Sequence, residues 1–577
     1  MMVLSMENYM KRHTHMLIKV FIKATLAAAT SVLVLGCSAN YQSTTEADKA
    51  PRASFVPIPN VENIKSHMHF LADDLLQGRE TGSQGHEIAS LYIAGEFAKY
   101  GLKPAGDQVD GKTSYVQRIN FRKGLLVQES PIFKVEGPNE NFELSYPDDF
   151  LSSPDLVSTQ SDVTAPLVFV GYGIVAPNLN HDDYAGLDVT GKIVVALSGK
   201  PKSFPSEEGA HVASSSQKSM YAVEHGAVGY ITLTTPSNEK VRPYKNSLNY
   251  IYSPRMRWVQ NNGIPANVNP ELKGAAYLSL PAAEKLFAQG PNSIDDIYAQ
   301  LEKDGSPLGF ELPLTVSLQR QTTHEDLTSP NVVAILEGSD PILKNEYVVF
   351  SAHSDHIGIA KTVKTDKINN GAMDNASGTS VLMETARMFA NLPTPPKRSI
   401  IFIAVTGEEK GLLGADYFAR NPTVPVGSMV ANVNLDMPIL TYEFADIIAF
   451  GANHSSMKSS VEAAAKYVGL TLSDDPWPEQ NLFTRSDHYS FVKQGIPAVF
   501  LVPGLQAKDP KIDGSKVFGE FLSTNYHKPG DDMTQAFKWE AAKTFTEVNF
   551  QIGLALANQA QKPTWNEGDF FGETFAK

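Results

Sequence analysis

The chain has 577 residues, more than one hydrophobic core accommodates, and its 42% hydrophobic and 19% charged content is that of a folded globular protein, not of a disordered, fibrous or membrane-spanning one. At roughly 150 residues per domain this length implies two to four compact units. A formal net charge of −14, with no Lys/Arg cluster interleaved with aromatics, argues against a nucleic-acid partner.

Along the chain, Lys11, Arg12, Lys19 and Lys23 precede an apolar run over residues 24–35, the layout of a secretory signal and too short to span a bilayer comfortably. The run ends in Val34-Leu35-Gly36-Cys37, and Cys37 is the only cysteine. This resembles a bacterial lipoprotein signal, with Val34 where Leu is usual. That resemblance implies a signal peptide over 1–36, lipidation of Cys37, a polar tether over 37–54, and a lipid-anchored protein of the cell envelope, in the outer membrane facing the periplasm. A lone cysteine also excludes internal disulfides and any cysteine-built zinc site.

Residues 61–76 have helical periodicity and lead into a turn-rich loop, Gly78-Arg79-Glu80-Thr81-Gly82-Ser83-Gln84-Gly85; a second helix spans 88–100 and stops at Gly101. Between 132 and 323 the texture changes to short β-type runs separated by Gly, Pro and Asn, with one helix-then-strand passage at 218–225 and 229–233. From Ser329 apolar strands at 331–336, 347–352, 399–405, 429–435, 447–450 and 498–502 alternate with helices, among them 377–390. A last helix sets Trp539, Ala542, Phe545, Val548, Ile552 and Leu556 on one face. The fold class expected is α/β, a mixed central sheet covered by helices on both faces, with an inserted β-rich unit.

Ligands gather at strand ends in such sheets, and five polar clusters fall there. In Ser351-Ala352-His353-Ser354-Asp355-His356, residues two apart on a strand share a face, so His353 and Asp355 would reach one site, with Asp355 orienting the imidazole. Alone, that pair fits a surface turn better. In Gly371-Ala372-Met373-Asp374-Asn375-Ala376-Ser377-Gly378, Asp374 would bridge two cations, whereas a helix N-cap by Asp374 or Asn375 is the plainer reading. The adjacent carboxylates of Thr406-Gly407-Glu408-Glu409 repel unless cations or protons intervene. A solvated acidic loop is the alternative. Asn434-Leu435-Asp436-Met437 and Tyr526-His527-Lys528-Pro529-Gly530-Asp531 complete the series. Together they supply two His, three carboxylates and a spare Glu, a donor set suited to two zinc ions.

The order His-x-Asp, Asp-Asn-Ala-Ser-Gly, Glu-Glu, Asp-Met, Ser-Asp-His and Tyr-His resembles the two-zinc exopeptidases that include bacterial leucyl aminopeptidase and glutamate carboxypeptidase (peptidase family twenty-eight). Asp182-Asp183-Tyr184, residues 189–193 and Glu224-His225-Gly226-Ala227 are similar to the protease-associated domain inserted in many members. The resemblance implies a peptidase domain built from 55–131 and 324–577 around a protease-associated domain at 132–323. It implies two Zn2+ per chain held by His353, Asp374, Glu409, Asp436 and His527. Asp374 bridges, Asp436 is paired with His353, and Glu409 with His527. Glu408 is the implied general base, Asp355 the orienting group and Tyr526 the oxyanion donor, with Asp487 and His488 in support. The implied function is an aminopeptidase acting on peptides. A carboxypeptidase of the same family would need several arginines, of which only Arg485 stands near a motif; a one-zinc glutaminyl cyclase and a non-catalytic scaffold are the other readings. Neither His86-Glu87 nor His324-Glu325 has a His four residues on, and there is no P-loop or Gly-x-Ser-x-Gly.

Overall fold

Four parallel strands, Ser399–Val405, Tyr347–His353, Met429–Asn434 and Ala498–Pro503, lie side by side in that order at the centre of the main sheet. In the computed structural model, which describes residues 56–576 apart from Asp304 and Thr362, all four are buried along their length except at Tyr347, which is half-buried. The lipoprotein-type signal, Cys37 and the tether lie outside the described residues. The sheet is mixed. The end of a long strand, Phe310–Leu336, pairs antiparallel with Ser399–Val405, and Asp446–Phe450 pairs antiparallel with Ala498–Pro503.

Burial on both faces follows from the period of two along each strand. Val348, Phe350 and Ala352 face one core with the helices Gly378–Ala390 and Trp539–Asn558, while Val349, Ile401, Ile403 and Val405 face another with Leu413–Arg420 and His488–Val492. Burying each such side chain contributes roughly 1.5–3 kcal/mol. The helix Trp539–Asn558, expected as the last but followed by Phe570–Phe575, docks through Ala542, Phe545, Val548, Ile552 and Leu556, all fully buried; Trp539 is only half-buried.

A second sheet is formed by Gln160–Phe169, Ile193–Leu197, Gly229–Leu233 and Gly274–Leu278, parallel to one another, with antiparallel strands at its margins. Helices such as Ser215–Glu224 and Leu280–Phe287 cover it, and two apolar clusters fill its faces. Phe310–Leu336 runs through both sheets: its first part pairs with Gln160–Phe169, its middle with Val116–Leu126 and its end with Ser399–Val405. Residues 323 and 324 therefore sit inside one continuous strand.

Two boundaries near the N-terminus differ from the periodicity. The first helix is Val61–Leu71, not 61–76, because Asp73 accepts the N–H of Leu75 and opens a 3-10 turn over Asp74–Arg79, where Gln77 and Gly78 have positive φ. The second begins at Gln84, not 88, since Ser83 is its N-cap and accepts the His86 N–H at 3.2 Å. Among the described residues no helix is long and apolar enough to cross a membrane.

Candidate metal centre

Four of the candidate residues leave the same edge of the sheet: His353 ends its strand, Glu408 and Glu409 follow Val405, and Asp436 follows Asn434. Asp374 and His527 come from elsewhere. Asp374 lies in the tight turn before Gly378–Ala390, and His527 lies three residues beyond Gly514–Thr524 with φ of 55°. Of the two residues offered as a helix cap, Asn375 takes the backbone bonds: its Oδ1 accepts the N–H groups of Gly378 (2.9 Å) and Met437 (3.0 Å), which leaves Asp374 to face the site.

The side chains converge in two groups that share Asp374. His353 Nε2 stands 3.3 Å from Asp374 Oδ1 and 3.1 Å from Asp436 Oδ1. His527 Nε2 stands 3.2 Å from Asp374 Oδ2 and 3.2 Å from Glu409 Oε2. Donors bound to one tetrahedral cation at about 2.0–2.2 Å lie roughly 3.3 Å from one another, so both groups have the spacing a zinc ion requires. All the donors are imidazole nitrogens or carboxylate oxygens.

His356, which the motif reading left without a role, joins the second group: it is fully buried and its Nδ1 lies 2.7 Å from Glu409 Oε1. His356, Asp374 and Glu409 on one side and His353, Asp374 and Asp436 on the other are the residue sets able to surround an ion.

The charges of the cage polarise one another. Burial alone would lower the His353 imidazole, but Asp436, Glu408 and Asp374 outweigh it and raise its pKa well above the ordinary value. His527 is raised likewise, against burial, chiefly by Glu409. Burial would raise Glu409, yet His527 and His356 hold it well below the usual carboxylate range. Glu408 goes the other way. Burial, reinforced by Asp436, Glu409 and Asp487, raises it well above that range although His353 opposes them, and its carboxylate has no hydrogen bond or ion pair among the described residues.

Asp355 serves the site differently from a strand neighbour of His353. The ladder ends at His353, so the backbone turns, and His353 Nδ1 donates to the main-chain oxygen of Asp355 at 3.2 Å while the carboxylate is 4.0 Å away. That carboxylate accepts from Thr81 Oγ1 (2.8 Å) and from the N–H of Glu408 (3.2 Å), tying the base candidate to the His353 strand.

Further side chains support or border the cage. Asp436 Oδ2 accepts from Ser486 Oγ at 2.5 Å, and Ser486 in turn accepts from Asn434 Nδ2 at 2.6 Å. The N–H groups of Met373 and Asp374 are held by the two oxygens of Asp531, a carboxyl raised to about 6 by burial. Arg79 is fully buried and donates to the main-chain oxygens of Leu71, Ser354, Asn370 and Gly371, joining the turn before Asp374 to the loop after His353. Tyr526 stacks on His527 with ring centroids 3.9 Å apart, and burial sets its phenol at about 12. Asp487 is buried with no hydrogen-bond partner for either oxygen among the described residues, and burial raises its pKa well above the usual range. His488 stays outside the cage, packed against Phe483 and Phe500.

Comparison with known proteins agrees with this geometry. The 252 residues shared with the aminopeptidase YwaD of Bacillus subtilis are 27% identical and cover 42% of this chain and 50% of that protein. A probable zinc metalloprotease of Pyrenophora teres f. teres is 40% identical over 262 residues, 38% of this chain and 52% of the relative. The chain thus spans about half the length of these curated relatives. The solved aminopeptidase from Aneurinibacillus sp. strain AM-1 superposes over 87% of this chain and 95% of its own at a TM-score of 0.50 and 20% identity, a likeness of fold. Residues 331–552, the stretch that carries all five candidate ligands, match the model of peptidase family M28.

Proposed function

We propose that the protein is an aminopeptidase that removes N-terminal residues from peptides with two zinc ions, one held by His353 and Asp436, the other by His527 and Glu409, and Asp374 between them. The observation that carries this reading is the pair of nitrogen–oxygen groups, each at 3.1–3.3 Å, that share one carboxylate. The relatives, an aminopeptidase and a probable zinc metalloprotease, point the same way.

Cations bound there would polarise the scissile carbonyl and bring the pKa of a water molecule toward ~7. Glu408 takes the proton of that water and returns it to the leaving amine; its unbonded carboxylate and raised pKa suit a group that must hold a proton between the two steps. Asp355 keeps it in place through the Glu408 N–H. Tyr526, protonated at neutral pH, donates to the developing oxyanion. Asp531, Ser486 and Arg79 hold ligands and loops in position.

Leucyl peptides with a free amine and their N-acetyl counterparts test the reading. Cleavage of the free-amine peptides alone is expected; release of C-terminal residues from the blocked ones would contradict it. In the same reading residues 132–323 are a protease-associated domain, and the chain is anchored through a lipid on Cys37 in the cell envelope. Membrane fractionation of the Cys37→Ser variant checks the anchor: the variant should leave the membrane fraction, and retention there would count against it.

A further inference from the structure

A cavity of about 1140 Å³ lies between the segment around residues 198–242 and the segment around residues 448–485, and reaches the surroundings of the cage through Arg485. It is larger than one amino-acid side chain needs, and typical small-molecule sites occupy ~300–1,000 Å³. Two arginines line it, one from each wall. Arg485 reaches the Tyr526 hydroxyl at 3.5 Å, and Tyr526 stacks on His527. Arg242 is tied to the opposite wall by donating to the main-chain oxygen of Gln480 at 3.0 Å. Eight residues further on, Tyr250 brings its exposed ring to 6.5 Å from that of His527, so the stretch carrying Arg242 borders the cage itself.

Neither arginine forms an ion pair with a carboxylate among the described residues, although acidic side chains line the same cavity. Glu207 is taken by His454 at 2.6 Å, and Asp475 by Ser206 at 2.7 Å. Both arginines are exposed to solvent in the cavity, and partial desolvation together with the nearby charge of Arg485 pulls the Arg242 guanidinium down to about 10, so it remains a cation and the two cations repel. Like charges held together at a cleft wall lower their energy when an anion enters, and a planar guanidinium matches a carboxylate in two parallel hydrogen bonds.

We propose that Arg242 and Arg485 form a subsite for a carboxylate of the peptide substrate, next to the scissile bond. The proposal rests on the aminopeptidase reading and narrows it to peptides that carry an anion within reach of the cage. That anion is either the C-terminal carboxylate of a short peptide or the side chain of Asp or Glu.

Three peptides separate the sources: Leu-Ala-Ala, its C-terminal amide, and the amide of Leu-Glu-Ala. Their kcat/KM values are measured for the wild-type metal-loaded protein and for Arg242→Gln and Arg485→Gln, and their dissociation constants by calorimetry on the same proteins. A preference of about tenfold or more for one carboxylate peptide over the Leu-Ala-Ala amide is expected, falling to within about twofold in either variant. Equal kcat/KM for acid and amide in the wild type, or a preference unchanged in both variants, would overturn the subsite. If no peptide is hydrolysed the aminopeptidase reading fails by itself. The dissociation constants then decide the subsite: tighter binding of an acid than of the amide, lost in Arg242→Gln, supports it, and equal binding sinks it.

Discussion

Glu408 and Glu409 are neighbours in sequence with opposite electrostatic fates, and the difference separates catalysis from binding. Glu409 is surrounded by His527 and His356 and held ionised; Glu408 has no such partners and is pushed toward the protonated form by burial. Replacing Glu408 by Gln removes only the proton acceptor. Turnover should fall by about 10²–10⁴-fold while elemental analysis still finds the wild-type metal content. Loss of the metals would instead make Glu408 a ligand. Ser486 offers a second test, because its hydroxyl supplies the hydrogen bond that orients Asp436. In Ser486→Ala, competition with a chelator should show metal affinity weakened by about 10–100-fold; unchanged affinity would mean that Asp436 needs no such support.

The ligand residues were legible because each sits in a short run of distinctive composition, and because the runs occur in a familiar order. Arg79, Asp531 and Ser486 were not assigned by the same reasoning. Most of their partners at the site lie 50 to 292 residues away, and an Arg that donates to main-chain oxygens leaves no pattern in its neighbours. His356 stood inside a quoted motif, but its approach to Glu409 depends on how the chain turns after His353.

At the scale of elements, the turn that presents Asp374 is packed to its limit. Gly371 has φ of +59°, and a Cβ there would lie 2.2 Å from the main-chain oxygen of Asp374 and 2.6 Å from the His356 ring. Gly371→Ala should therefore displace the bridging carboxylate and lower metal content before it unfolds the protein. Metal analysis beside a thermal melt distinguishes the two effects.

A second junction joins three elements through one imidazole. His454 Nε2 lies 2.6 Å from Glu207, at the start of the helix Ser206–Val212, and its Nδ1 lies 2.6 Å from Asp569, which caps the helix Phe570–Phe575. Burial opposes the charge, but Glu207 and Asp569 prevail and raise His454 to about 9. The folded value exceeds the unfolded one, so the ion cluster stabilises the protein fully below pH about 6.5 and loses that contribution as pH rises through about 9, on the order of 3 kcal/mol at most. Melting temperatures of wild type and His454→Gln should differ most near pH 6 and converge by pH about 10. A constant difference would show that the ring acts through packing alone. Helices and strands with clean periodicity, such as the helix Trp539–Asn558, were legible to within a few residues. Helix starts set by a single cap, as at Ser83, were not.

Across the whole molecule, the alternation of strands and helices after Ser329 was enough to predict a mixed sheet covered on both faces. The connection between the two sheets escaped notice. Phe310–Leu336 contains Pro313 and Pro330, which read as breaks in a strand; the register shift between Leu312 and Thr315 accommodates the first, and the strand continues through the second. The parallel centre of the second sheet was hidden too, since short β-type runs look alike whichever way they pair. The two halves of the cage belong to one chain but to separate loops, so metal binding should couple to the order of the whole edge. Removing the metals with a chelator should abolish hydrolysis and lower the melting temperature, and restoring zinc should recover both.

The central claim is that two cations share Asp374, and native mass spectrometry of the zinc-loaded protein tests it most directly. Two zinc ions per chain in the wild type, falling to one or none in Asp374→Asn, is the result predicted. One zinc in the wild type, or two retained without the Asp374 carboxylate, would contradict it.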